Sequence, residues 1–220
     1  TDLTSSPIRH LTVTPWTTAG DKLSGHRQAI SRARRMLAEG ADSAEHKDFL
    51  FEVVQPRALR LTLFGAGHVG RALINVLAGV PAHIDWVDSR AEQFPDELPG
   101  NVLRHVTEDY EARIDDTARG GFFLVMTHSH AIDLEIVEAV LRRGDFTYLG
   151  LIGSATKRAR FERQLRSRGL TDQHLERLTC PIGIEGVSGK APAVIAVAVA
   201  AEILRKQDQR MAASKIERSA

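Results

Sequence analysis

Residues 60–90 hold a strand-sized apolar run that breaks at Gly65-Ala66-Gly67-His68-Val69-Gly70, resumes as a helix-spaced stripe, and returns as a second apolar run ending at Asp88. Few folds accommodate that order. Ala72, Leu73, Val76 and Leu77 fall at the spacing of one α-helical face. Gly65 permits the tight turn out of the strand, Gly67 lets backbone approach a phosphate, and Gly70 lets helix and strand pack closely. A helix starting there points unpaired N–H groups and its positive dipole end at an anion. Asp88 lies 18 residues beyond Gly70, near the spacing of the acid that accepts hydrogen bonds from a ribose 2′-hydroxyl. The stretch predicts a Rossmann-type strand–turn–helix–strand unit. Its glycines suit a bound dinucleotide, another phosphorylated ligand, or strand–helix packing alone.

The alternation of strand and helix continues beyond Asp88. Val102–Val106 reads as a strand, and Gly121–Thr127 as a near-continuous apolar run covered on both faces. A helix over Ile132–Arg143 carries Asp133 and Glu135 in its first turn and Arg142 and Arg143 in its last, in accord with its dipole. Thr147–Gly153 is a further strand, running into a helix over Ser154–Arg168, and a short helix is expected at Asp172–Leu178. Pro192–Arg205 is so uniformly small and apolar that it reads as a buried helix, with a polar, frayed tail from Gln207. Strands alternating with helices predict an α/β doubly wound, mostly parallel sheet over residues 58–220.

Residues 1–57 read as a small α+β appendage: a strand at Ile8–Thr14, a helix at Gly25–Glu39, a polar loop at Ala41–Lys47 and a strand at Phe49–Val54. That is too little to bury a core alone.

Composition excludes several classes. Twenty-nine basic residues face 28 acidic ones, so bulk charge gives no argument for nucleic acid. One cysteine, Cys180, rules out an intrachain disulfide framework and a multi-cysteine metal site. No apolar run reaches membrane-spanning length and no signal pattern opens the chain, so the expected location is the cytoplasm.

Ligands of doubly wound sheets sit beyond the carboxyl ends of the strands, at the switch point. Four loops qualify: Gly65–Gly70, Asp88–Arg90, Thr127–Asp133 and Gly153–Arg158. Thr127-His128-Ser129-His130 with Asp133 could bind a divalent metal, supply a ligand contact or an acid/base, or simply cap the following helix. In Gly153-Ser154-Ala155-Thr156-Lys157-Arg158, two cations stand in a first helical turn, where they oppose the dipole; an anion bridging them would relieve that cost. Gly183–Lys190 fails as a phosphate-binding P-loop, because Ile184 stands where a glycine is required and Ala191 where a Ser/Thr would hold Mg²⁺. Cys180, beside Pro181, is better read as a packed cysteine than a reactive one.

Taken together, these motifs resemble the xanthine dehydrogenase accessory protein family (XdhC/CoxI). The resemblance is carried by Leu63 through Gly70, Val87-Asp88-Ser89-Arg90, Met126 through Leu134, Tyr148 through Ser154, Lys157-Arg158, Pro181-Ile182-Gly183 and the helix Pro192–Glu202, all in order. It implies a cytoplasmic, non-catalytic chaperone that binds the molybdenum cofactor (molybdopterin) while it gains a terminal sulfur and then delivers it. The implied partners are a xanthine dehydrogenase molybdenum subunit, a cysteine desulfurase and a second copy of the chain as a homodimer. The implied cofactor residues are Gly65, Gly67, His68, Val69, Gly70, Asp88, Arg90, Thr127, His128, His130, Asp133, Gly153, Ser154, Lys157 and Arg158, with no resident metal. Family members carry a longer first domain with a Cys-Cys-Gly-Gly-type segment, whose cysteines are missing from residues 1–57. A reading from a different class is an NAD(P)-dependent oxidoreductase, with Asp88 on the ribose and His128 or His130 as acid/base.

Overall fold

Strands that are apolar throughout need cover on both faces, and a parallel sheet between two helix layers supplies it. The computed structural model, which describes residues 10–15, 43–46, 49–54 and 58–218, has that arrangement. Two compact units divide between Ala58 and Leu59.

In the first unit, β1 (His10–Pro15), β2 (Ser43–His46) and β3 (Phe49–Val54) form an antiparallel sheet in the order β1-β3-β2. His10 stands opposite Val54 and His46 opposite Phe49. The expected helix at Gly25–Glu39 lies outside the described residues. The polar segment expected as a loop at Ala41–Lys47 instead contains β2, since ladder pairing uses backbone groups that a polar sequence also possesses.

The second unit runs β4 (Leu59–Phe64), α1 (His68–Leu77), β5 (Ala82–Asp88), β6 (Val102–Val106), α2 (Tyr110–Asp116) and β7 (Phe122–Val125). It continues with α3 (His130–Arg143), β8 (Tyr148–Leu151), α4 (Ala155–Ser167), α5 (Asp172–Leu175), β9 (Leu178–Thr179) and α6 (Pro192–Arg218). The strands lie in the order β6-β5-β4-β7-β8-β9, and every pairing is parallel. The chain walks outward from β4 to β6 and returns to β7 beside β4, so the switch point lies between β4 and β7.

Alternating side chains feed two cores. Leu61, Leu63, Ile84, Trp86, Phe122 and Leu124 pack with Leu73, Ile74 and Leu77 of α1 and with Ala196, Val199, Ala200 and Ile203 of α6. On the opposite face, Phe64, Val87, Phe123, Val125, Leu149 and Leu151 pack with α3 and with Phe161 and Leu165 of α4. Each fully buried large side chain contributes about 1.5–3 kcal/mol. These layers fix the strand ends and hence the loops that rise from them. Among the described residues, no helix is long and apolar enough to cross a membrane.

Three expectations for the second unit needed correction. The segment expected as helix to Leu178 stops at Leu175, and Leu178–Thr179 joins the sheet as a sixth strand opposite Leu149 and Gly150. The last helix is only half buried: Val194 and Val197 are exposed while Ala196, Val199 and Ile203 face the core. Rather than fraying at Gln207, that helix continues to Arg218, and the Arg210 guanidinium donates to the Gly120 carbonyl on the way.

Candidate functional site

The crevice opens where the glycine turn after β4 meets the loop after β7. Gly65 has a φ of 115°, and a Cβ there would stand 2.2 Å from the Met126 carbonyl oxygen, so only glycine fits. A Cβ on Gly70 would stand 2.3 Å from the Gly65 carbonyl oxygen. That same carbonyl accepts a 3.0 Å hydrogen bond from the buried Trp86 indole. Gly65 and Gly70 are thus committed to packing. Gly67 is different: a Cβ there would meet nothing within 4 Å. It precedes α1 with no side-chain cap, so the first-turn N–H groups, Gly67 through Val69, lack intrahelical partners. His68 is exposed beside them. This open backbone, backed by the helix dipole, can receive an anion.

Asp88, at the end of β5, is 3% exposed. Its Oδ1 accepts from the Arg90 N–H at 3.0 Å and Arg90 Nε at 2.9 Å, and its Oδ2 from the Ala66 N–H at 2.7 Å and Arg90 Nη2 at 2.9 Å. Burial works against ionisation here, but the guanidinium and the two backbone N–H groups outweigh it and hold the carboxyl below its usual range. Four donors fill the acceptor capacity of a carboxylate. No lone pair remains for a ribose hydroxyl, and the spacing that marked Asp88 as a ribose acceptor reflects a ligated acid.

Thr127, Ser129 and Asp133 are hydrogen-bonded together, but His128 and His130 do not converge with them. Asp133 is fully buried and accepts from the Thr127 N–H at 3.0 Å and the Thr127 hydroxyl at 2.7 Å. Its other oxygen takes Lys157 Nζ at 2.7 Å, and Lys157 also donates to the Ile152 carbonyl at 2.9 Å. His128 and His130 are exposed, and His130 Nδ1 accepts from Arg160 at 2.8 Å. Among the described residues, no group of three His, Cys, Asp or Glu side chains could hold a metal ion. The arrangement closes the loop after β7 and ties it to the loop after β8.

Around Gly153, a Cβ would stand 2.6 Å from Lys157 Cδ and 3.3 Å from Cys180 Sγ. Ser154 caps α4 by accepting the Lys157 N–H at 3.2 Å. The two first-turn cations have protein partners: Lys157 has Asp133, and Arg158 pairs with Glu162 at 2.8 Å while donating to the Cys180 carbonyl. A bridging anion is not needed to explain them. Along the basic face of α4, Arg166 pairs with Asp172 and Arg168 with Glu138, acids from other elements that the helix sequence alone did not reveal. Cys180 is buried, and that burial pushes its thiol up despite the nearby Lys157 and Arg158, so it stays protonated and packed.

One partnership escaped the sequence reading. Glu202, on the supposedly all-apolar helix, is buried and accepts from the Tyr148 hydroxyl and the Gly183 N–H, both at 2.7 Å. It moors the loop after β9 to α6. Its only signal was a lone acid in an alanine- and valine-rich run.

A six-stranded parallel sheet with a glycine turn at its switch point defines a Rossmann-type domain. A family model described as the XdhC Rossmann domain matches residues 61–203, and the chain belongs to the XdhC family. An uncharacterized Escherichia coli (strain K12) protein, YqeB, is 34% identical over 179 residues, spanning 78% of this chain and 32% of its own. The chain therefore spans about a third of that curated relative's length. A crystal structure of a Bacillus halodurans protein described as a xanthine dehydrogenase aligns with a TM-score of 0.60 at 24% identity, covering 79% of this chain and 49% of that one. At that identity the likeness concerns the fold.

Proposed function

We propose that this chain is a carrier for a phosphorylated pterin, the molybdenum cofactor, acting in the maturation of a xanthine-dehydrogenase-type enzyme rather than as a catalyst. The observation that carries the reading is the division of labour in the crevice. Gly67–Val69 leave donors open to an anion, while both buried acids, Asp88 and Asp133, are locked in ion pairs and are not placed to act as bases. Membership of the XdhC family supports this choice of ligand class.

The residues fit the phosphate end of molybdopterin: open backbone at Gly67 and a cation at Arg90, 30% exposed beside it. They offer no sulfur ligand, since the one thiol is buried and protonated. When bound, the cofactor would supply its own molybdenum chemistry, and the role of this chain is to hold and shield it. Sulfur would then come from a cysteine desulfurase, and the recipient would be the molybdenum subunit, with a second copy of the chain as a further partner. The test is incubation of purified protein with molybdenum cofactor, desalting and pterin fluorescence. Near-stoichiometric retention is expected; none would refute the carrier.

An NAD(P)-dependent oxidoreductase is the second reading, favoured by the intact Gly65-x-Gly67-x-x-Gly70 turn. Against it stand the saturated Asp88 and the exposed, non-converging His128 and His130. In calorimetric titration with NAD(H) and NADP(H), absence of heat with all four eliminates the enzyme; heat without any oxidation or reduction of the nicotinamide leaves the carrier reading standing.

A further inference from the structure

Arg90 deepens the reading of the crevice as a site for a phosphorylated ligand, and the inference rests on that reading. In a Rossmann unit the acid ending the second strand meets the ribose of a nucleotide whose phosphates sit on the glycine turn. Here that acid has no acceptor left. Both Asp88 oxygens are filled, three of their four hydrogen bonds coming from Arg90 itself. A ribose hydroxyl could donate to Asp88 only by displacing a charged, bidentate partner.

The same geometry leaves Arg90 with something to offer. Its Nε and Nη2 are engaged, but Nη1 has no hydrogen-bond partner among the described residues, and the side chain is 30% exposed. Arg90 Nη2 and the Ala66 N–H share one carboxylate oxygen, at 2.9 Å and 2.7 Å, which places the guanidinium beside the glycine turn. The net charge of the pair is zero, yet the carboxylate is inside and the spare donors outside.

We propose that Arg90 is the specificity-determining residue of the crevice. By sealing Asp88 and presenting its remaining N–H groups, it selects ligands that carry a phosphomonoester beside the glycine turn over ligands that present a ribose diol there. NADP⁺ and NAD⁺ are suitable probes because they differ by one phosphomonoester on that ribose.

The test is titration of both dinucleotides into the wild-type protein and into Arg90→Ala and Arg90→Lys, with circular dichroism confirming that each variant is folded. The wild type is expected to bind NADP⁺ at least about tenfold more tightly than NAD⁺, the scale of one hydrogen bond to a charged group. Arg90→Ala should lose that preference and gain affinity for NAD⁺, because Asp88 becomes free to accept from the diol. Arg90→Lys, which keeps the charge without the fork, should fall between. A gain for NAD⁺ is a readout that mere destabilisation would not give. Equal binding of the two probes, tighter binding of NAD⁺, no binding of either, or a preference that survives Arg90→Ala overturns the inference. Pterin retention on the same preparations tests the carrier reading separately. Retained pterin without a phosphomonoester preference sinks the Arg90 inference alone, and the converse result sinks the carrier alone.

Discussion

The two walls of the crevice are built from the same parts and put them to opposite use. Each has a buried carboxylate, Asp88 ending β5 and Asp133 in the first turn of α3, which accepts from a backbone N–H and is neutralised by a cation. On the Asp88 wall the cation is Arg90, 30% exposed and with donors to spare. On the Asp133 wall it is Lys157, 12% exposed, with its ammonium turned inward to Asp133 and the Ile152 carbonyl. One pair therefore leaves donors open, and the other joins two loops. A cation beside a crevice is no guide to ligand binding until its partners are counted.

Breaking the Asp133 wall should be the most damaging change. Lys157→Met leaves a fully buried carboxylate without its counter-ion, and the expected loss is about 3–5 kcal/mol in urea denaturation. Pterin binding should fall only as far as the folded fraction does. Next in size is the packing of the glycine turn. Gly65→Ala puts a methyl group 2.2 Å from a carbonyl oxygen at a φ of 115°, and about 1–3 kcal/mol should be lost from the strain alone.

The Asp88 wall should show its ion pair in acid. The folded state holds the Asp88 carboxyl below its usual value, about 3.9 in an unfolded chain. Its contribution is thus fully present above that value and fades as pH falls through the folded one. Urea midpoints of wild type and Asp88→Asn should differ at neutral pH and converge as pH drops below about 4. A gap that persists unchanged in acid would show that the pair does not depend on ionised Asp88.

The smallest effect on stability belongs to Gly67→Ala. Its Cβ would meet nothing and its backbone is extended, so about 0.5 kcal/mol is the expected cost of losing a glycine cap. Its effect on ligand should nonetheless be large, because the methyl group occupies the approach to the open N–H groups.

How much of the fold and the crevice was legible in the sequence depends on the range over which each signal acts. β4, the glycine turn, α1 and β5 announce themselves through local periodicity and glycines, and the two strands end at the glycine turn and at Asp88 as read. β9 is two residues long and sits just after a helix, too short for any period to register. β2 is polar and gains its place from backbone pairing with β3. The exposed half of α6 was hidden because valine and alanine read alike whichever way they face. The candidate site residues lie at or just beyond the carboxyl ends of β4, β5, β7 and β8, but their partners could not be read from the sequence. Asp133 and Lys157 lie 24 residues apart and Glu138 and Arg168 lie 30 apart, and only the fold brings each pair together. Arg90 shows the converse: its partner is two residues away, yet sequence could not say whether Asp88 faced it or the ligand.

The central claim is that the open backbone at Gly67, with Arg90 beside it and not the inward-turned Lys157, receives the ligand. Pterin retention by wild type and Gly67→Ala, with urea midpoints taken on the same samples, tests it most directly. The account predicts near-stoichiometric pterin on the wild type and little on Gly67→Ala at nearly matched midpoints. Equal retention by the two proteins, or none by the wild type, would contradict it.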